Sequence, residues 1–429
     1  MSELTSKSSS SHPALRVVAI FICTVAAAAV HAQSFTFDSA IRTRYESKQD
    51  FDFSGGDQSY FLTQLRLDFG YRLNEQSNVF VQLQDARVFG ESRTEVPPIN
   101  DAAVPNVFAD QLDFHQAYFE HDFGTVSLRA GRQKFNLADN RLVASLEWVN
   151  TARVHDGVRI TIDNGESREI DVFFSRPVAV DPNDFNDQAK VGNRYFDSDF
   201  HGIMVSDGRG TDRQIEYWYF YRGNSDLGDR VNTVGARAVR RSAPWGFELQ
   251  GAWQFGDFGG LDHSGTMLHA SVRRELAVGS WIASYSYGSG DDDPGDGDHG
   301  TFDNLYPLNH PYYGHMDLFS LQNVHDIEVA YTRPLSDRVG LRAAVNGFWL
   351  DDADSDAWYN AGLAPLRRAG SPADSYVGSE LDLMATFTLI PNQLSIVAGL
   401  SRFFGGGYLD DTGAGGDADF FYLELSYRP

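Results

Sequence analysis

The chain has 429 residues and a formal net charge of −24, with 35 Lys and Arg against 59 Asp and Glu. So acidic a chain is a poor partner for nucleic acid, which recruits proteins through surplus basic side chains. Its single cysteine is Cys23, so nothing downstream of it can build a disulfide framework or a cysteine metal site.

The first 32 residues read as a secretory leader. Lys7 and Arg16 precede a short apolar run, Val17 to Val30, and Val30-His31-Ala32 puts small residues at −3 and −1 of a cut before Gln33. Ile22 is not the small residue that a lipid-modified Cys23 would need before it. The expected division is a cleaved leader, 1–32, and one domain, 33–429. Beyond the leader no apolar run reaches the ~18 residues of a membrane helix. The apolar signal comes instead as alternation, together with 31 Phe, 19 Tyr and 40 Gly, a composition suited to barrel walls, interfacial girdles and turns.

In chain order, Phe35–Glu46 places Arg42 and Arg44 on one face. Gln58–Leu73 sets Phe61, Thr63, Leu65, Leu67, Phe69 and Tyr71 against Leu62, Gln64, Arg66, Asp68, Gly70 and Arg72. Asn78–Phe89 breaks phase near Asp85-Ala86-Arg87, where a bulge is expected. After a Pro-containing loop, Asp110–His121 and Thr125–Gln133 make a hairpin over Asp122-Phe123-Gly124. Leu142–Trp148 reads as a short strand, followed by Asp156–Ile162 and, past Asp163-Asn164-Gly165, by Arg168–Pro177.

Strands are next expected at Asp199–Ser206, Arg213–Arg222 and Asn232–Arg241. In Trp245–Phe255, Phe247, Leu249, Gly251, Trp253 and Phe255 oppose Glu248, Gln250, Ala252 and Gln254. Thr266–Leu276 and Gly279–Tyr287 lead to the longest loop, 288–321, whose length suggests function and whose Tyr/His/Pro part is a candidate plug for a lumen. Val324–Arg333, Val339–Trp349, Ser379–Leu389, Gln393–Phe403 and Phe420–Arg428 complete the chain, which ends Tyr427-Arg428-Pro429 rather than on Phe or Trp. Short turns alternate with long loops, and the spacing of roughly 22 residues per strand fits a single antiparallel transmembrane β-barrel of 18 strands, with 16 also permitted.

Between Gly131 and Arg159, GRQ, then RL, Trp-x-Asn and Arg-x-x-Asp-Gly-Val-Arg follow in order. This segment resembles the signature of the alginate-export family of outer-membrane barrels, as do VFVQLQDARVFG (79–90), LDFHQAYF (112–119) and NLYPLNHPYYGHMDLF (304–319). The resemblance implies a basic, constricted lumen that passes an acidic polysaccharide, with the signature arginines as its lining.

The residues read the same way. Arg42, Arg44, Arg66, Arg87, Arg129, Arg132, Lys134, Arg141, Arg153, Arg159, Arg237, Arg273, Arg342 and Arg402 are expected to line the pore, with Asp85, Glu147 and Asp156 as their counter-charges. Acids concentrate instead in the loops, which makes an anion-attracting lumen compatible with an acidic chain. The plainer reading is that such arginines pair with acids and stiffen the wall.

Asp291, Asp293, Asp296 and Asp298 have the composition of a hard-cation site but not its spacing, so a solvated acidic loop is expected. His299, His310 and His315 with Asp317 are expected to be packing or surface histidines. His269 and Ser271 share a face, but no third partner makes them a hydrolase site. No motif demands a cofactor.

The expected function is passive passage of an anionic polysaccharide or oligosaccharide, alginate-like, across the outer membrane. The alternatives are a porin for small organic anions or nutrients and, more distantly, a barrel enzyme or an adhesin. The partners would be the saccharide or organic anion, outer-membrane lipid and, for export, periplasmic components.

Overall fold

The computed structural model describes residues 34–51, 53, 55–90, 108–165, 167–182, 184–186 and 194–429. The expected leader lies outside the described residues. Nine strands make the first half: β1 (Ser34–Gln49), β2 (Asp57–Arg72), β3 (Ser77–Phe89), β4 (Asp110–Asp122), β5 (Val126–Gln133), β6 (His155–Asp163), β7 (Glu169–Pro177), β8 (Asp199–Asp207) and β9 (Arg213–Asn224). The second half holds β10 (Asp229–Ser242), β11 (Trp245–Phe258), β12 (Thr266–Glu275), β13 (Ser280–Gly288), β14 (Val324–Ser336), β15 (Val339–Trp349), β16 (Tyr376–Ile390), β17 (Leu394–Gly405) and β18 (Ala418–Tyr427). Each pairs antiparallel with its predecessor, and β18 returns to β1 from Ile41↔Tyr427 to Gln49↔Asp419. The result is a closed 18-stranded barrel. Closure leaves no backbone N–H or C=O on an open edge, the condition for a sheet to stand in hydrocarbon.

Period-two alternation sorts the side chains. On β2, Phe61 is 51% exposed and Leu62 2%; on β11, Leu249 is 55% exposed and Gln250 1%. The outer band is apolar and the inner face of these strands polar, as their sequences predict. The two ends differ. At one end the turns are tight and built on Asx contacts: Asn74 Oδ1 accepts from the Gln76 and Ser77 amides, Asp122 from Gly124, and Asp163 from Gly165. Arg428 ties the end of β18 across the seam to Asp38 at 2.8 Å and Asp68 at 3.2 Å. The other end carries the long loops.

Three expectations change. Leu142–Trp148 is not a barrel strand: it makes only isolated bridges, Leu137↔Val143 and Val143↔Tyr306, inside the bore. Its apolar side chains pack against another loop instead of alternating between lipid and lumen. The bulge expected on β3 lies on β4, where the register with β3 shifts between Gln82 and Leu83 and again between Gln84 and Ala86. Strand β3 keeps phase against β2, so Asp85 and Arg87 face outward, opposite Leu65 and Thr63. No group of acids or histidines suited to a metal occurs among the described residues; Asp293 and Asp296 cap the Gly295 and Asp298 amides of their own loop.

Finally, the inner face is not polar all round. Phe173, Phe200, Met204, Trp218 and Phe220 of β7–β9 are buried against Phe135, Tyr195 and Tyr306 from the loops, so that side of the bore is filled by a hydrophobic core.

Leu383 sits outward near the middle of β16. Replacing it with Arg is expected to destabilise the barrel by about 2–4 kcal/mol, measured by denaturant unfolding from lipid vesicles.

Candidate transport pathway

The β5–β6 connection, residues 134–154, leaves the wall and enters the bore. Just before it, within β5, stands Gly131, whose φ of 126° is a conformation that side chains strain to adopt. The loop's backbone polar groups are turned away from water and need partners, which the wall supplies. Arg42 donates through Nη1 to Glu147 O (2.5 Å) and through Nη2 to Val149 O (3.0 Å). Arg44 donates to Trp148 O at 2.8 Å, Gln64 to Asn150 O at 2.6 Å and Gln84 to Thr151 O at 2.7 Å. In return the Asn150 amide donates to the carbonyls of Thr63 (3.1 Å), Arg87 (3.2 Å) and Phe108 (2.8 Å).

The β13–β14 loop folds in beside it, as its length suggested. The Ala144 amide donates to Tyr306 O, and the Tyr306 amide to Leu142 O, both at 2.9 Å. Arg141 and Arg153, expected to line the pore, hold these loops together. Arg141 donates to Asp139 (3.0 Å) and the Tyr313 hydroxyl (3.0 Å); Arg153 donates to Ala144 O (3.2 Å) and Pro307 O (3.3 Å).

On the β1–β2–β18 side two cavities flank the loop. One, of about 240 Å³ on the long-loop side, is lined by Arg44, Glu46, Lys48, Trp148, His310 and Asp317 among others. The other, of about 540 Å³ on the short-turn side, is lined by Arg42, Arg66, Glu147, Glu424 and Ser426. Arg42 and Arg44 are two residues apart on one inward face and mark the division between them.

Arg44 also meets Glu424, its cross-strand partner, at 3.3 Å and lies over the Trp148 ring at 3.7 Å. His310 stacks on Trp148 with ring centroids 3.5 Å apart. Glu147 is gripped by Arg66 and Lys134, each at 2.7 Å. Burial works against its charge, but these two cations hold the carboxyl far below the ordinary carboxylate range.

The structure therefore brings together Arg42, Arg44, Arg66, Lys134 and Glu147. Inward but away from this cluster, Arg129 pairs with Glu120, Arg159 with Asp171 at 2.7 Å, Arg237 with Glu216 (2.7 Å) and Glu248 (2.8 Å), and Arg342 with Glu328. These pairs stiffen the wall. Arg273 pairs with Glu275 at the short-turn end.

Arg87, Arg132, Arg402, Asp85 and Asp156 do not line the bore. Arg132 and Asp156 share the face of Ala130 and Val158, which point outward, and Arg402 shares that of Leu400 and Phe404. All lie near the long-loop ends of their strands, where charge meets the interface rather than the bilayer centre. Sequence reasoning missed Trp148, Gln64, Gln84 and Asn150. The Trp-x-Asn step was the available signal, but only the inward turn of the loop gives it meaning. Glu424 became visible only with the β1–β18 closure.

A closed 18-stranded barrel with an inward loop and two vestibules is the architecture of an outer-membrane porin-type channel. The chain belongs to the alginate export family, whose family model matches residues 33–419. No curated protein matches the sequence. Among solved structures the fold is similar to three Pseudomonas aeruginosa proteins. OpdK with vanillate has a TM-score of 0.64 at 12% identity, covering 92% of this chain and 98% of that one. OccK8 (OprE) gives 0.63 at 13%, covering 92% and 98%. OccK2 (OpdF) in complex with glucuronate gives 0.62 at 11%, covering 92% and 98%.

Asn150→Ala removes the amide that ties the loop to the carbonyls of Thr63, Arg87 and Phe108. It is expected to cost about 1–3 kcal/mol and to raise open-channel current noise in planar bilayers. Unchanged stability and noise would mean that the loop is tied elsewhere.

Proposed function

We propose that the protein is a passive outer-membrane channel for anionic saccharides bearing uronate carboxylates. The observation that carries this reading is the meeting of Arg42, Arg44 and Arg66 between the two vestibules. Guanidinium groups in a narrow, low-dielectric bore raise the local concentration of anions. Their planar forks also match carboxylates better than an ammonium does. Glu147 already demonstrates the chemistry, since its carboxylate sits against Arg66 and Lys134 at the mouth of the short-turn vestibule.

Membership of the alginate export family supports a polyuronate as the passenger. Two barrels of similar fold are complexes with the carboxylates glucuronate and vanillate, which supports recognition of that group.

A second reading is a porin for small organic anions. The size of the long-loop vestibule, about 240 Å³, favours it. A single sugar acid is compatible with that space, whereas a polymer requires the inward loop to yield.

The test is ion selectivity and solute flux. Wild-type channels in planar bilayers are expected to prefer anions, and Arg42→Gln/Arg44→Gln/Arg66→Gln to shift the reversal potential toward cations. A cation-selective wild type would overturn the proposal. In liposome swelling, glucuronate is expected to outrun glucose; entry of uronate oligomers separates the polymer reading from the small-anion one.

A further inference from the structure

The outer wall carries a feature that conduction does not use. Across β9–β13 a shallow apolar concavity of about 720 Å³ lies over the wall. The outward-facing members of its lining are small on β10, β12 and β13, at Ala238, Ala270 and Ala283, and large beside them, at Ile215, Leu249 and Tyr285. Ala238 and Ala270 flank Leu249 in one cross-strand row and Ala283 lies in the next, opposite Val272, so the small side chains leave hollows between bulkier neighbours.

At the short-turn rim of this trough stand Arg213 and Arg240, directly opposite each other in the β9–β10 ladder and both exposed on the outer face. Like charges so placed repel and destabilise a sheet. Several other outward arginines are balanced, Arg87 by Asp85, Arg132 by Asp156, and Arg402 by Asp417 and Asp419, while Arg274 lies over the Trp245 ring. Among the described residues Arg213 and Arg240 have neither an ion-pair nor a side-chain hydrogen-bond partner.

Their depth is also defined. Arg240 is two residues from the end of β10, and Arg213 opens β9. Trp245 and Trp281 lie exposed in the neighbouring strands, each opposite Arg274, and Trp281 packs on Tyr331 at 4.7 Å. That is an aromatic girdle, the mark of the headgroup level. Two uncompensated guanidinium groups therefore sit at phosphate height, and the apolar trough runs from them toward the middle of the wall.

We propose that this face is a binding site for one anionic glycerophospholipid of the adjoining leaflet. Its phosphate accepts hydrogen bonds from Arg213 and Arg240, and an acyl chain lies along Ala238, Ala270 and Ala283. The phosphate removes the repulsion that the bare arginine pair would suffer, and the chain fills the trough that the alanines leave. Charge complementarity selects this occupant over a second copy of the chain, whose matching face would bring two more guanidinium groups to the contact in a two-fold pair.

The test is native mass spectrometry of the intact barrel released from nanodiscs of mixed phosphatidylglycerol and phosphatidylcholine. Wild type is expected to retain one phosphatidylglycerol, with little phosphatidylcholine. Arg213→Gln/Arg240→Gln is expected to retain roughly tenfold less. Ala270→Phe, which fills the trough with both arginines intact, is expected to lose the lipid as well and guards against misfolding of the double variant; heat-modifiable migration on gels verifies folding of each. Equal retention by wild type and folded variants, no preference between the two lipids, or a lipid-free dimer in place of the lipid-bound monomer would overturn the proposal.

Discussion

The hydrogen bonds from wall side chains to the carbonyls of Glu147 to Thr151 are the constraint on which the rest of the bore depends. A loop turned into a barrel gives up water for its backbone, and each buried carbonyl without a donor costs free energy comparable to a lost hydrogen bond. Arg42, Arg44, Gln64 and Gln84 supply those donors from one patch of wall. They thereby fix where the loop can rest, and its position fixes where the bore remains open. The same guanidinium groups that hold the loop also meet Glu46 and Glu424, and Arg66 meets Glu147.

The opposite side follows from the same placement. Once the loop leans on β1–β3, its apolar residues turn toward β7–β9, where Phe173, Phe200 and Phe220 meet Phe135 and Tyr306. One side of the lumen becomes a core and the other keeps the two cavities. Between the two cavities Arg42, Arg44, Arg66 and Lys134 gather against the carboxylates of Glu46, Glu147 and Glu424. Most inward arginines are paired with carboxylates, and Arg42 and Arg44 at the vestibule junction donate to the loop's carbonyls as well.

Much of the wall was legible in the sequence because a lipid-facing sheet has a simple rule. Phe61 to Tyr71 and Phe247 to Phe255 alternate cleanly, and these strands form where the pattern places them. The rule fails where both faces of a segment are buried. Leu142–Trp148 has strand-like composition, yet its partners are a loop and a core, and alternation has no meaning there.

Phase errors had a local cause. A bulge on β4 was read as a bulge on β3, which placed Arg87 and Asp85 on the wrong face. Arg132, Asp156 and Arg402 were misplaced because charge at the end of a strand looks like lumen lining when the height of the rim is unknown. The Arg44–Glu424 contact joins the first strand to the last, and no local pattern announces it.

Solutes are expected to pass along the β1–β2–β18 side and not through the packed β7–β9 side. Accessibility to an anionic thiol reagent tests it most directly, in a chain whose Cys23 is replaced by Ser. Ser426→Cys, on the short-turn vestibule, is expected to react and block the single-channel current, whereas Phe220→Cys, in the core, is expected to stay unmodified. Block at Phe220→Cys with none at Ser426→Cys would contradict the account.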